Sequence, residues 1–534
     1  MASNAMARRP LAAALAGAAL LGVVAGCAGQ ADSSNPTSFT FALPAAPISL
    51  DIAKDFDGNI MQIMAPVTQK LENVTASGKL TPGLATSVDQ PDPLTLVYHL
   101  RGGVKFSDGK PLTPADAVWS LHHLTDPGSG AQTAGNAPWI KNITATGPDA
   151  VTVTLTQPVA YARASIAVIG FIQEAAFAKA HAKDLGTPTG VPIGTGPYKV
   201  IQDTTQQVAL RRNPFYHQGQ QPAVNQINFT FISQDNTAQL AMRSGSLQGA
   251  LVGNLKSVAQ WRSIKGTSLN TLAALQTTFL TLDTSAAPLN DVHVRKAIAY
   301  SIDRAGVMSA GYGRSSQLLQ SVAPAGVLTD VAPSAPAAQQ FLNSLPRYRL
   351  DPAKAKQELA ESAYPNGFSL SVPVIADAPY SDLVVENLAE NMKPLHVTIT
   401  PKTIAESQWI ATVYAHAKGI GMQTMDLIPP IPDPSAVLGV VTGKPNIRPG
   451  GFNLANWSTP AAEAAYRQVT NSTDKATRWQ GAKTLLTAIA DDVPYIPLFN
   501  PDTVVVLGGG FRFAHPKTLF DLDVNGTWVY DLQG

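Results

Sequence analysis

The residues that could perform catalysis are few and scattered, and they form none of the common catalytic motifs. The sequence contains no His-Glu-x-x-His pair for zinc, no Gly-x-Ser-x-Gly nucleophile elbow and no phosphate-binding P-loop. His122 and His123 are adjacent on a predicted helix, so they point to different faces and do not readily share a metal. We therefore expect no enzyme, no cofactor and no metal site.

Side chains suited to binding follow a glycine-rich loop late in the chain. Asn453, Asn456 and Trp457 come directly after the loop 449–451, and Trp457 can either stack on a ligand or pack beneath the loop. Arg314 can meet a ligand carboxylate as a bidentate donor, or it can be a solvated surface residue. These residue types favour a protein that binds a ligand without transforming it.

The N-terminus carries the pattern of an exported lipoprotein. Arg8 and Arg9 precede the apolar run 11–25, which is too short for a comfortable membrane span and ends at Ala25-Gly26-Cys27. This pattern predicts cleavage after residue 26, a lipid on Cys27 and a small, polar tether over residues 28–36. The alternative is an uncleaved anchor helix with an incidental cysteine. Because Cys27 is the only cysteine, disulfides within the chain and Cys-based metal sites are excluded.

The length and the charge of the chain limit the classes of protein to which it can belong. Removal of 26 of the 534 residues leaves 508, enough for two or three domains. The net charge is +1 with 14% charged residues, and no basic run suggests a nucleic-acid partner. No later apolar stretch predicts a transmembrane helix. We expect a soluble exported part that is attached to the membrane at one end.

The elements that position these residues alternate between strands and helices, which predicts an α/β protein. Residues 95–100 are rich in strand formers, residues 107–109 supply a turn, and Thr113-Pro114-Ala115-Asp116 begins a capped helix. Strands are also predicted at 150–156, 227–232 and 277–282, and one helix is predicted over 290–308. Further helices are predicted from Asp351-Pro352 and over 460–469 and 477–489.

As a string of residues, positions 84–120 (LATSVDQPDPLTLVYHLRGGVKFSDGKPLTPADAVWS) resemble one family. That family is the extracellular solute-binding lipoproteins of ABC importers, in the dipeptide- and oligopeptide-binding branch known as family 5. Further segments are similar to its motifs in the same order: Gly-Thr-Gly-Pro-Tyr at 194–198, Asn-Pro-Phe-Tyr at 213–216, residues 288–304, residues 351–368 and Asp-Pro at 433–434.

The resemblance implies a two-lobed, periplasmic-binding-protein-like fold of the cluster C type, with an extra subdomain inserted in lobe one. Two crossings between the lobes would form a hinge, and the ligand would lie in the cleft. After the signal peptide (1–26) and the lipidated tether (27–36), the expected parts are lobe one at 37–62, the inserted subdomain at 63–190, lobe one again at 191–280, lobe two at 281–498 and the C-terminal segment of lobe one at 499–534.

The resemblance also suggests ligand-binding residues. Peptide binders of the family hold the ligand ammonium with an Asp three residues before the Asp-Pro pair, but that position is Pro430 here. Either the segment 427–432 contains an insertion and Asp426 takes this role, or the ammonium site is missing. Asp433 would open a helix beside the ligand. Val252, Gly253 and Phe279 match positions that line the cleft in relatives, although buried structural roles suit all three.

The predicted function is that of a monomeric, lipid-anchored, extracytoplasmic receptor on the outer face of the cytoplasmic membrane. The resemblance implies that it captures peptides, in particular short oligopeptides, and delivers them to the permease of an ABC importer. One alternative is the same fold with a non-peptide solute, such as haem, a metal chelate, glutathione or a sugar. The other is a cell-envelope scaffold or regulatory lipoprotein that has lost transport.

Overall fold

The computed structural model describes residues 38–272, 274–375, 379–413, 415–416 and 421–534. The predicted signal peptide, the lipidated Cys27 and the tether therefore lie outside the described residues. Within these ranges, every helix falls short of the length or the apolar character that crossing a bilayer requires.

The strands of the described residues are numbered in chain order. They are β1 (Ser38–Leu43), β2 (Glu72–Val74), β3 (Leu80–Pro82), β4 (Ala85–Asp92), β5 (Thr95–Leu100), β6 (Ile140–Ala145), β7 (Ala150–Leu155), β8 (Tyr198–Asp203), β9 (Gln207–Arg212), β10 (Gln226–Phe231), β11 (Gly249–Leu251), β12 (Ser268–Leu272), β13 (Thr277–Leu282), β14 (Ser316–Leu318), β15 (Ser369–Ile375), β16 (Thr398–Ile404), β17 (Met422–Leu427), β18 (Tyr495–Pro501), β19 (Thr503–Leu507), β20 (Arg512–Phe513) and β21 (Leu532–Gln533).

The α-helices of the described residues are numbered in the same way. They are α1 (Gly58–Met64), α2 (Pro114–Thr125), α3 (Ala162–Ile169), α4 (Ala175–Ala180), α5 (Asp235–Arg243), α6 (Val258–Arg262), α7 (Val292–Tyr300), α8 (Arg304–Tyr312), α9 (Ala325–Leu328), α10 (Ala335–Ser344), α11 (Pro352–Glu361), α12 (Pro379–Met392), α13 (Glu406–Val413), α14 (Leu438–Val441), α15 (Pro460–Asn471), α16 (Lys475–Asp492) and α17 (Trp528–Asp531).

Local signals explain where several helices begin. The backbone N–H of Thr113 donates to the Asp116 carboxylate over 2.8 Å, which completes the capping box predicted for α2. The single helix predicted over 290–308 is wrong, because the chain forms α7 and α8 with a break at residues 301–303. Asp303 causes the second start: its carboxylate accepts the backbone N–H of Gly306 over 2.9 Å.

Two main sheets divide the described chain. The first has the strand order β12-β19-β11-β1-β10-β9-β8 and is the centre of what we call lobe one. In it, β1 pairs in parallel with both β10 and β11. The second has the order β14-β18-β13-β17 and is the centre of lobe two. Its strand β13 is buried along its whole length, as the sequence Thr-Thr-Phe-Leu-Thr-Leu favours for a central strand.

The chain crosses between the two sheets twice, and the crossings lie side by side. Residues after β12 lead into β13, and Asp502 separates β18 from β19. The Asn500 side-chain amide, near the end of β18, donates to the backbone carbonyl of Ala274 over 3.1 Å, so the strand that leads into one crossing is hydrogen-bonded to the other crossing. Paired crossings of this kind confine lobe motion to a few backbone dihedrals.

The expected domain boundaries stay predictions, with two details added by the strand pairing. The boundary placed between residues 280 and 281 falls within β13, and the one between 498 and 499 falls within β18. Hydrogen bonding therefore favours crossings at 274–276 and at 502. Residues 85–155 contribute a separate antiparallel sheet, β4-β5-β7-β6. That this sheet belongs to an inserted subdomain over 63–190 also stays a prediction.

An aromatic cluster ties the C-terminal segment to the start of lobe one. The Trp528 ring of α17 lies 6.1 Å from Phe39 and 5.9 Å from Phe41, both on β1, measured between ring centroids. It lies 6.4 Å from Phe229 of the neighbouring strand β10. All four side chains are fully buried, so the end of the chain forms part of the core that begins at residue 38.

Candidate functional site

A carboxylate lies at the end of the lobe-two sheet that adjoins the crossings. Asp426 is opposite Thr278 in the antiparallel pair of β17 and β13, and Phe499 of β18 is opposite Thr278 on the other side. The Thr278 hydroxyl donates a hydrogen bond to Asp426. Because β13 begins at Thr277, just after a crossing, the strand register holds this acid beside the hinge.

Aromatic rings surround this end of the sheet. The Phe499 ring lies 5.1 Å from Tyr312, at the end of α8, and 6.3 Å from Tyr380, at the start of α12. The two tyrosine rings are stacked at 6.3 Å. Both tyrosines are half-buried, whereas Phe499 is fully buried. The acid and these rings form what we call the Asp426 site, a cluster of aromatic rings and hydroxyl groups beside one carboxylate.

The electrostatics of Asp426 are those of an acid without a cationic partner. Burial raises its pKa, and hydrogen bonds from the side chains of Thr278, Tyr380 and Gln276 offset only part of that rise. Within the described ranges, no cation contributes to the shift. Burial also raises the pKa of Tyr312, and the nearby charge of Asp426 raises it further. A carboxylate in such surroundings is stabilised when a cationic group from outside joins it.

Lobe one approaches this site from the opposite side. The short turn Leu255–Ser257 of lobe one lies against α8, the helix that carries Tyr312. Val252, just before this turn, is 7% exposed, and the backbone N–H of Gly253 donates to Asp235 over 3.2 Å. The predicted residues Val252 and Gly253 therefore lie on the segment that faces the helix of the Asp426 site.

Two other predicted residues lie inside lobe two. Asn453 is fully buried: its amide donates to the Trp457 carbonyl over 2.8 Å, and its carbonyl accepts from the Tyr495 hydroxyl over 3.1 Å. The Trp457 ring is 4% exposed and donates to Asp492 over 3.1 Å. These contacts stabilise the loop after the glycines, which matches the packing alternative for Trp457. A ligand contact for either residue stays a prediction.

Asn456 is more open than its neighbours. It has a left-handed backbone with φ of 51°, and its amide donates to Asp283 over 2.9 Å. Its carbonyl oxygen lies 3.1 Å from Nδ1 of His416. Arg314 is exposed on the turn that follows α8, two residues after Tyr312. Among the described residues, neither Asn456 nor Arg314 is hydrogen-bonded to Asp426.

Asp433 and Phe279 are buried and contact other side chains of lobe two. The Asp433 carboxylate accepts from the buried Arg478 guanidinium over 2.5 Å and from the backbone N–H of Ser435 over 2.8 Å. Phe279 is fully buried and packs edge-on against Tyr495, with ring centroids 5.4 Å apart. The proposed ligand contacts of both residues stay predictions. Sequence reasoning missed Thr278, Tyr380 and Phe499 as site residues, because only the strand pairing and the position of α12 bring them to Asp426.

One group of potential metal ligands occurs among the described residues. His293 Nδ1 lies 2.8 Å from Glu358 and 3.7 Å from Glu361, between α7 and α11 on lobe two. The three side chains are half-buried or exposed, and the short His293–Glu358 contact is an ion pair that links the two helices when the histidine is protonated. This cluster lies on helices other than those that form the Asp426 site.

Comparison with known proteins identifies the family. The family model described as "Bacterial extracellular solute-binding proteins, family 5 Middle" matches residues 79–448. The chain belongs to family 5 of the bacterial extracellular solute-binding proteins. The predicted family is therefore confirmed, and we refer to the chain below as this solute-binding protein.

Proteins named for different ligands are similar to this chain over most of their length. Heme-binding protein A of Haemophilus influenzae is 24% identical over 88% of this chain and 88% of its own length. Glutathione-binding protein GsiB of Escherichia coli O1:K1 / APEC is 23% identical over 82% of this chain and 81% of its own. The periplasmic binding protein DppA of Helicobacter pylori, solved in complex with the peptide STSA, superposes with a TM-score of 0.76 at 20% identity, covering 94% of this chain and 98% of its own. The two-lobed α/β fold is confirmed.

A neutral variant of the acid tests the electrostatics of the Asp426 site. Because the folded-state pKa of Asp426 is raised, its ionisation opposes folding above that pKa and has no effect below the unfolded-state pKa. At pH 7, Asp426→Asn should therefore increase the free energy of unfolding of the ligand-free protein. Urea denaturation followed by circular dichroism measures this change.

The control for that variant is Asp433→Asn, which weakens a buried ion pair with Arg478. It should decrease the free energy of unfolding by about 3 kcal/mol, because it leaves a buried guanidinium without its carboxylate. If Asp426→Asn proved as destabilising as the control, Asp426 would be a structural acid and the site assignment would be wrong.

Proposed function

We propose that this solute-binding protein captures short peptides between its lobes and delivers them to the permease of an ABC importer. The Asp426 carboxylate accepts the ammonium group of the peptide. The observation that carries this proposal is the half-buried acid beside the hinge, whose raised pKa includes no contribution from a cation of the described chain. Pairing with an ammonium offsets the cost of keeping this carboxylate ionised.

The surrounding groups suit a peptide. Tyr312 and Tyr380 supply aromatic surface for side chains, while the hydroxyl groups of these tyrosines and of Thr278 supply polar contacts. Peptide ligands are also bound through strand edges, which pair with peptide N–H and C=O groups whatever the side chains. The DppA relative from Helicobacter pylori was solved with a peptide, and GsiB is named for glutathione, which itself carries an ammonium group.

Binding is proposed to need no covalent step. The ligand contacts both lobes and so stabilises the closed arrangement over the open one. The two adjacent crossings, joined by the hydrogen bond from Asn500 to Ala274, form the pivot. We further propose that the protein acts as a monomer on the outer face of the cytoplasmic membrane, anchored through a lipid on Cys27.

The experiment that tests the function is native mass spectrometry of the protein as purified. A bound mass, identified by fragmentation as one or more peptides with free amino termini, is expected. Gentle unfolding and refolding provides the ligand-free control. Repeated detection of a non-peptide solute, or of no bound species under conditions that preserve complexes of related binding proteins, would contradict the peptide assignment.

Peptide affinity should depend on pH. A bound ammonium favours the ionised carboxylate, so the pKa of Asp426 falls when the ligand binds and binding releases a proton below the raised pKa. Affinity should therefore weaken as the pH is lowered through that pKa. Calorimetry with the co-purified peptide at several pH values measures this slope.

Asp426→Asn should lower the affinity for the peptide at pH 7.5 by about 30-fold or more, because the peptide ammonium then lies in this site without a counter-charge. The same variant should flatten the acidic part of the pH profile, since the titrating group is gone. Retention of both the affinity and the slope in this variant would assign the ammonium to another acid.

The membrane anchor has its own test. Expression of the full-length chain in a bacterium should place the wild-type protein in the membrane fraction with a mass that includes a diacylglyceryl cysteine. Cys27→Ser should abolish the lipid and leave an unprocessed chain that keeps residues 1–26, because the predicted cleavage after residue 26 depends on the modified cysteine. A wild-type protein that retains residues 1–26 with an unmodified Cys27 would instead support an uncleaved anchor helix.

A further inference from the structure

Lobe two contains a cavity that the proposed peptide site does not use. Its volume is about 140 Å³, and it lies between β18, the end of α16 and the segments 318–322 and 345–349. Apolar side chains form much of its wall: Leu318, Leu345, Leu486, Ile489, Val493 and Ile496. A cavity of similar size lined by apolar groups accommodates a molecule as large as benzene.

Three arginines line the same cavity. The Arg304 guanidinium donates to the backbone carbonyls of Pro497 over 2.9 Å and of Tyr348 over 2.5 Å. Arg347 has only long contacts, such as 3.5 Å to the Gln320 side chain. Among the described residues, none of the guanidinium groups of Arg304, Arg347 and Arg349 forms an ion pair with a carboxylate. The wall of an apolar cavity therefore carries three positive charges without a counter-ion from the described chain.

The positive charges of these arginines repel one another. Burial lowers the pKa of Arg304 to about 10, and the positive charge of Arg349 contributes to the lowering. The carboxylates of Asp491 and Asp492 raise the pKa of Tyr348 but do not contribute to the shift of Arg304. A negative charge placed between the guanidinium groups would offset both the repulsion and the desolvation.

We infer that this cavity is a binding site for a small organic anion, with a carboxylate against the arginines and an apolar group the size of a phenyl ring between the leucines and isoleucines. Guanidinium groups bind carboxylates through charge-assisted hydrogen bonds, and two of these three, Arg347 and Arg349, are exposed. The apolar wall provides the rest of the affinity and excludes anions without an apolar part.

This anion site is distinct from the Asp426 site. The cavity shares no residue with the Asp426 site, and the charge of its arginines is opposite in sign to that of Asp426. All of its lining residues belong to lobe two, so occupation does not require closure of the lobes. The inference stands whether or not the proposed peptide ligand is correct.

The test uses three probes that separate charge from apolar contact. Phenylacetate has both features, phenylacetamide keeps the ring without the charge, and acetate keeps the charge without the ring. In calorimetry and thermal-shift titrations of the ligand-free protein, phenylacetate should bind saturably at millimolar concentration with a stoichiometry of one. Phenylacetamide and acetate should each bind at least about tenfold more weakly. Equal binding of phenylacetamide, or no saturable binding of phenylacetate, would overturn the inference.

Variants locate the probe. Arg347→Gln combined with Arg349→Gln should weaken the binding of phenylacetate about tenfold or more. Arg448 is an exposed arginine of lobe two outside the cavity, so Arg448→Gln should leave this binding unchanged. Both changed residues of the double variant are exposed, so the fold is retained. Asp426→Asn should not alter phenylacetate binding. An effect of Asp426→Asn, or no effect of the double variant, would place the anion elsewhere and contradict the assignment.

Discussion

The structure depends most on one electrostatic constraint, which is that Asp426 is a half-buried carboxylate whose raised pKa reflects no cation of the described chain. An unpaired charge removed from water is costly, and here three side-chain hydrogen bonds compensate only part of that cost. The position is therefore better stabilised with a cationic guest than without one. A binding protein can use this difference, because the guest contributes what the empty site lacks.

The architecture places this acid where a guest can control lobe motion. The register of β13 and β17 puts Asp426 next to the crossings, while α8 brings Tyr312 over it and the turn Leu255–Ser257 of lobe one lies against α8. A ligand that pairs with Asp426 and contacts the lobe-one segment stabilises the closed arrangement. The Trp528 cluster packs the C-terminal segment into the core of lobe one.

Much of the fold could be predicted from the sequence because its signals are local. The capping box at Thr113 and the apolar strand at 277–282 need only neighbouring residues, and the family motifs need only their order. The ligand-binding role of the candidate site stays a prediction. Asp426 was chosen by its position near Asp-Pro, but the burial of Trp457 in a loop-stabilising network depends on tertiary packing. Tyr380 had no signal in the chain, because only the packing of α12 on the sheet brings it to Asp426.

Lobe two thus contains the Asp426 site, whose acid has no cationic partner among the described residues, and a separate cavity whose arginines form no ion pair there. Only the Asp426 site adjoins the hinge. The central claim is that Asp426 accepts a ligand ammonium. The most direct measurement is calorimetry that compares the co-purified peptide with the same peptide acetylated at its amino terminus. The account predicts that acetylation weakens binding by about two orders of magnitude in the wild-type protein, and much less in Asp426→Asn. Equal affinity of the two peptides for the wild-type protein would contradict it.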